Sequence, residues 1–178
     1  MSLAIALTKL GVPTVHWPRQ MIDFCRHRGA VDITVACRFR ELDLMFPKSL
    51  FIYTERPGPA WLKSVKHHYR ELRGDLRLPD GEKQFAEEAD IRIYGTPRPF
   101  KCDFMSAYER HHDSVLDYFK DRPDDLLRIN ISAGEGWAAL SSFLGLPVID
   151  IPFPHAHRRR RSEPPKSLVQ GRLPGERR

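Results

Sequence analysis

The chain has 178 residues, 41% of them hydrophobic, and carries 29 Lys and Arg against 23 Asp and Glu, a formal net charge of +6. The surplus is local: residues 155–178 hold eight basic and two acidic side chains, which leaves 21 of each in residues 1–154, so the basic balance describes an appendage and is no argument for nucleic-acid binding by the folded part. Three widely spaced cysteines (Cys25, Cys37, Cys102) form no CxxC pair or disulfide framework, and no apolar run approaches the roughly 20 residues of a membrane span, so a reducing, cytoplasmic setting is expected rather than secretion or insertion.

Ser2–Leu10 places apolar residues at 3, 5, 6, 7 and 10 and stops at Gly11, which predicts a helix with a glycine terminator. An extended run over Val12–Trp17 follows, and Pro18 is expected to open a second helix through Arg28. Ala30–Val35 reads as a strand or a tight loop, with a helix around Arg38–Met45. Ser49–Thr54 is the clearest strand, apolar on both faces as a central strand of a parallel sheet would be. After the turn Glu55–Pro59, a helix is expected from about Ala60 to Leu72. Residues 73–99 are rich in charge, proline and glycine and suggest no definite element. A long helix is expected over Phe100–Lys120, with Tyr108, His112, Val115 and Phe119 on one stripe. A buried strand over Leu126–Ile131 and a short helix over Trp137–Leu144, ending at Gly145, complete the pattern. Strands alternating with helices predict an α/β fold, a parallel β-sheet flanked by helices, in one domain over residues 1–154. Residues 155–178 read as a basic disordered tail.

In such a sheet ligands bind beyond the carboxyl ends of the strands. Arg56 follows the strand ending at Thr54, and Ser64 lies eight residues later, inside the next helix. A guanidinium and a hydroxyl near a helix start can share a cluster of anionic oxygens; the plainer alternative is a surface arginine and an ordinary helical serine, and spacing alone favours it. Two side chains are candidates for the proton-accepting group. Asp32 stands at the end of a strand upstream of Arg56, with a turn or N-cap carboxylate as its alternative. His16 ends the Val12–Trp17 run, with a half-buried strand histidine as its alternative; imidazole exchanges protons near neutral pH. His67-His68 and His111-His112 are sequence neighbours that point about 100° apart on a helix, so neither pair chelates. His155 and His157 stand beside four arginines, and Gly134-Glu135-Gly136 reads as a tight turn more readily than as a phosphate cradle. No metal is expected.

The segments Glu41-Leu42-Asp43, Phe46-Pro47-Lys48 through Arg56, and Trp61-Leu62-Lys63-Ser64 carry a resemblance that continues in order. It runs through Ile93–Thr96, Tyr108…His112…Val115…Tyr118-Phe119, Leu126-Leu127, Gly134–Trp137 with Leu140 and Phe143–Gly145, and Pro152–His155. Taken together they resemble the sulfotransferase superfamily, whose members transfer a sulfuryl group from 3′-phosphoadenosine 5′-phosphosulfate (PAPS), and the likeness covers nearly all of residues 1–155. It implies a P-loop-NTPase-like sulfotransferase fold, with Arg56 and Ser64 on the 3′-phosphate of PAPS and Trp61 as a packing residue. Asp32 resembles the aspartate of the family's "D.PV" stretch, although Thr34 stands where proline is usual. In the family a first strand and a glycine-rich loop ending in "GTxS" precede a helix much like Ser2–Leu7 and cradle the 5′-phosphosulfate. Ser2 matches the loop's terminal position, but the strand, the glycines and the basic residue have no counterpart in residues 1–178. The resemblance therefore implies an N-terminally truncated fold: either the start lies downstream of the true one, or the chain is a degenerate member with impaired activity.

The expected acceptor is a small molecule, a glycan or a lipid bearing a hydroxyl or amine, with residues 73–99 helping to line its pocket. The alternative is non-enzymatic: a remnant or anion-binding protein whose Arg158–Arg161 contact nucleic acid or anionic lipid through phosphates. A P-loop kinase is disfavoured by the lack of a GxxxxGK[ST] motif and of a recognisable Mg²⁺ carboxylate.

Overall fold

The structure, a computed structural model, describes residues 2–75, 80–97 and 104–156. Helix α1 (Ser2–Lys9) buries Ala4, Ala6 and Leu7. It ends where Gly11 turns to φ +81°, with Val12 N–H donating to Leu7 O at 2.9 Å and Gly11 N–H to Thr8 O at 3.1 Å, a Schellman closure that a β-carbon would strain. Strand β1 (Thr14–His16) pairs in parallel with β2 (Gly29–Val31), and α2 (Met21–Arg26) connects them. The second helix thus starts at Met21 and not at Pro18. Pro18 is buried, and the Asp23 carboxylate accepts from the N–H groups of Arg19 and Gln20 at 2.9 and 3.0 Å, fixing the first turn there. Of the strand or tight loop expected over Ala30–Val35, the strand ends at Val31, because Asp32 caps a one-turn helix α3 (Ile33–Ala36) that leads into α4 (Phe39–Met45).

Strand β3 (Phe51–Thr54) pairs in parallel with β4 (Leu126–Ile129), with Ile52 opposite Leu127 and Thr54 opposite Ile129. Between them run α5 (Gly58–Asp75), α6 (Asp80–Tyr94) and α7 (Phe104–Phe119). Helix α6 occupies most of the segment that suggested no element, and the expected start of α7 at Phe100 lies outside the described residues. The strand expected to continue to Ile131 gives way after Ile129 to a 3-10 turn over Ile131–Ala133, and Gly134, at φ +98°, makes the tight turn the sequence suggested. Helix α8 (Trp137–Leu144) ends at Gly145, φ +64°, as expected.

The alternating side chains of β3 explain its two apolar faces. Ile52 packs on the cluster of Ala6, Leu10, Ile129 and Leu140, contributed by α1, its C-terminal turn, β4 and α8. On the opposite face the Phe51 ring meets Phe119 of α7 at 5.0 Å, and Phe39 of α4 meets Phe119 at 6.2 Å. A second cluster, Tyr94, Phe104 and Ala107, joins α6 and α7 to Trp61 and Val65 of α5. The two acids of the Glu41-Leu42-Asp43 run staple these layers: Glu41 pairs with Arg92 at 2.8 Å, and Asp43 accepts from Arg122 at 2.7 Å and from the Tyr118 hydroxyl at 2.8 Å.

One correction concerns the sheet. Among the described residues, β1 pairs only with β2 and β3 only with β4, so the expected single parallel sheet is two separate parallel pairs. Sequence pattern predicts parallel pairing without naming neighbours, and β3 reads as a central strand although its residues are only half-buried or exposed. The residues of β2 and β3 line one cavity of about 1580 Å³. At the outside of α1 the Ser2 hydroxyl accepts from the Ala156 N–H at 3.0 Å. The expected tail lies, from residue 157 onward, outside the described residues, and no helix among these is long and apolar enough to cross a membrane.

Candidate functional site

Parallel register places the two proton-transfer candidates side by side. His16 is the last residue of β1 and stands opposite Val31, so the next residue, Asp32, emerges beside it at the carboxyl ends of both strands. The His16 imidazole Nε2 lies 2.7 Å from Asp32 Oδ2. The other carboxylate oxygen, Oδ1, accepts from Ile33 N–H at 2.6 Å. Asp32 has φ +119° and ψ −179°, a region nearly reserved for glycine and worth of order 1–3 kcal/mol of strain. The backbone is thus held so that one carboxylate caps α3 and grips the imidazole, and both residues line the cavity. The two were rivals for one role in the sequence; here they form a dyad. A neutral imidazole that donates Nε2–H to Asp32 carries its lone pair on Nδ1, the arrangement by which a carboxylate orients a histidine.

The cavity is also lined by Thr54, Trp61, His68, Tyr69, Asp90 and Tyr108. Trp61 meets the Tyr108 ring at 4.9 Å, tilted by 41°, and Phe104 at 6.4 Å, as expected of a packing residue. Sequence reasoning missed Asp90 and Tyr69. The Tyr69 hydroxyl donates to Asp90 Oδ1 at 2.5 Å, and burial pushes the Asp90 carboxyl up to about 6, with Glu87 adding repulsion and the Tyr69 bond pulling the other way. Asp90 lies in the stretch assigned no element, where it is one of several acids; only the three-dimensional pairing singles it out. Farther along, burial and the neighbouring His112 push the His111 imidazole below its usual range, which leaves it neutral at pH 7.

Arg56 follows β3, and its carbonyl accepts from the Tyr108 hydroxyl at 2.8 Å, which anchors the turn to α7. Its neighbour Glu55 is matched by Arg128 at 2.6 Å. The half-buried Arg56 guanidinium makes no hydrogen bond or ion pair among the described residues, so its charge is uncompensated there. Ser64 is exposed on α5, about 40° around the helix from His68. Neither Arg56 nor Ser64 lines the cavity that holds the dyad. Ser2 is engaged with Ala156. Thr34, in the place where proline is usual, is 1% exposed, and its hydroxyl is buried without a partner among the described residues. No cluster of three metal-ligating side chains occurs among the described residues.

A family model described as a sulfotransferase domain matches residues 23–162, a span that includes Asp32, Arg56 and Ser64 and begins after His16. A search of the curated proteins gives no match.

Proposed function

The chain belongs to the sulfotransferase domain family, and from that premise we propose that its cleft seats an acceptor hydroxyl or amine for sulfuryl transfer from PAPS. The observation that carries this reading is the 2.7 Å contact of His16 with Asp32 at the carboxyl ends of β1 and β2. Asp32 fixes the imidazole, and Nδ1 takes the proton of the acceptor group. The acceptor oxygen or nitrogen forms its bond to sulfur as the bond from sulfur to the bridging 5′-phosphate oxygen breaks. Adenosine 3′,5′-bisphosphate leaves with that electron pair. By analogy with phosphoryl transfer the transition state is loose, so positioning and charge stabilisation carry most of the catalysis.

Arg56 and Ser64 are assigned to the 3′-phosphate. A guanidinium with no competing partner, next to a glutamate already matched by Arg128, suits a phosphate monoester. The donor's 5′-phosphosulfate calls for backbone N–H groups, each such donor being worth roughly 3–4 kcal/mol to a developing anion. We assign these to an extended segment seated between β2 and β3. Both strands leave an edge unpaired among the described residues and border the same cavity, and unpaired strand edges favour the addition of a strand. A segment with a glycine-rich loop at its carboxyl end would join the two pairs and bring the loop beside Asp32 and Thr54.

Calorimetric titration with adenosine 3′,5′-bisphosphate tests the nucleotide half. Arg56→Ala should weaken binding at least tenfold and Ser64→Ala by less; equal affinities for wild type and Arg56→Ala would remove Arg56 from the site. The catalytic half is tested by transfer of labelled sulfuryl from PAPS to a hydroxyl or amine acceptor, which should fall sharply in His16→Asn. Full activity in that variant would exclude the dyad.

A further inference from the structure

A second pocket, of about 300 Å³, opens behind the wall of the cleft between α3, α4, α6 and α7. That volume lies at the lower end of the range for small-ligand sites. Four arginines line it: Arg38, Arg40, Arg92 and Arg110. The lining contains one carboxylate, Glu41, which Arg92 already engages at 2.8 Å. Glu88 stands 3.9 Å from Arg38 at the margin. The remaining titratable groups do not offset the charge: burial pushes the Cys37 thiol up against the pull of Arg38 and Arg92, and holds the His111 imidazole neutral. Even with Glu88 counted, two positive charges are left unmatched.

The guanidinium groups are also partly prearranged. Arg40 is held by the Ser114 hydroxyl at 2.8 Å and carbonyl at 3.2 Å, with its Cζ 4.9 Å from the centre of the Tyr118 ring. Arg38 lies 5.4 Å from the Phe85 ring centre, and its Nε is buried without a hydrogen-bond partner among the described residues. Arg110 makes no hydrogen bond or ion pair among them. A buried, unpaired donor and several like charges in one small pocket are unfavourable until an acceptor of opposite charge joins them. Planar guanidinium forks match the oxygens of a tetrahedral oxyanion, two bonds at a time.

We infer that this pocket binds a small tetrahedral oxyanion, phosphate or sulfate, either free or as the end group of a monoester. The pocket shares Ala36, Phe39, Ile93 and His111 with the lining of the His16–Asp32 cleft, but its four arginines lie outside that lining, and the inference does not depend on the reading proposed for the cleft.

Calorimetry and thermal unfolding of the full chain at constant ionic strength test it, with inorganic phosphate, inorganic sulfate and glycerol phosphate as probes and chloride as the control. Wild type should be stabilised by the oxyanions beyond chloride. Preference for glycerol phosphate would point to a monoester, and equal binding of all three to the free ion. Arg110→Gln, at an exposed position, should weaken oxyanion binding about tenfold, whereas Lys9→Gln, at the exposed end of α1, should leave it unchanged. No stabilisation beyond chloride would overturn the inference. So would binding that survives Arg110→Gln, with or without a loss in Arg56→Ala, since the anion would then reside outside this pocket.

Discussion

Replacing Asp90 by asparagine should stabilise the protein at neutral pH and flatten its response to pH between about 4 and 6. Burial pushes the Asp90 carboxyl from the ordinary 3.8 up to about 6. Between those values the folded chain holds a proton there that the unfolded chain has released, so stability falls as pH rises through this window. Below 3.8 both states are protonated and the penalty vanishes; above about 6 it is fully expressed. At 1.36 kcal/mol per pKa unit the gap amounts to about 3 kcal/mol. Asparagine carries no charge and still offers an oxygen to the Tyr69 hydroxyl, so most of this should be recovered. Urea unfolding of both proteins at pH 4.5 and 7.5 measures it. Because part of the penalty is already present at pH 4.5, the advantage of the variant should be greater at pH 7.5 by about 2 kcal/mol. An advantage of the same size at both pH values would show that charge burial at Asp90 is not the cause.

Asp43 should behave in the opposite sense. Hydrogen bonding by Arg122, and then by Tyr118, holds its carboxyl below the usual range against the effect of burial. Its contribution is present above about 4 and is lost as pH falls further. Asp43→Asn should cost about 1–3 kcal/mol at pH 7 in urea unfolding, with the difference shrinking in acid; the low end applies because Arg122 is 41% exposed. Thr34→Val should raise stability by about 1 kcal/mol, since it removes a buried, unpaired hydroxyl at almost constant volume. A loss of stability in that variant would mean that the hydroxyl is bonded in solution.

The helix ends were the most legible part of the fold. Gly11 and Gly145 mark the ends of α1 and α8 because the left-handed turns there carry almost no steric penalty for glycine. Pro18 suits a first helical turn and so marks the start of α2 in the sequence, whereas the Asp23 carboxylate, at the third position of the helix, sets the boundary at Met21. The strands were found but their neighbours were not, since an apolar run states that it is covered and not by what. The same limit applied at the site. His16 and Asp32 were each visible as candidates, yet their contact depends on the register that sets His16 opposite Val31, and neither segment alone encodes that register. Asp90 was hidden for a related reason: its altered acidity comes from the neighbours that α5 and α6 bring to it.

The bond between Ser2 and Ala156 spans 154 positions of sequence yet only 3.0 Å. A few glycines could bridge residues 156 and 2 with little distance to cover, and new termini could be opened at the exposed turn between Lys120 and Asp121, after α7. Such a circular permutant keeps every pairing of β1 with β2 and of β3 with β4 while changing the order of synthesis. Retained folding would mean that the architecture belongs to the set of packed segments, whichever of them leaves the ribosome first.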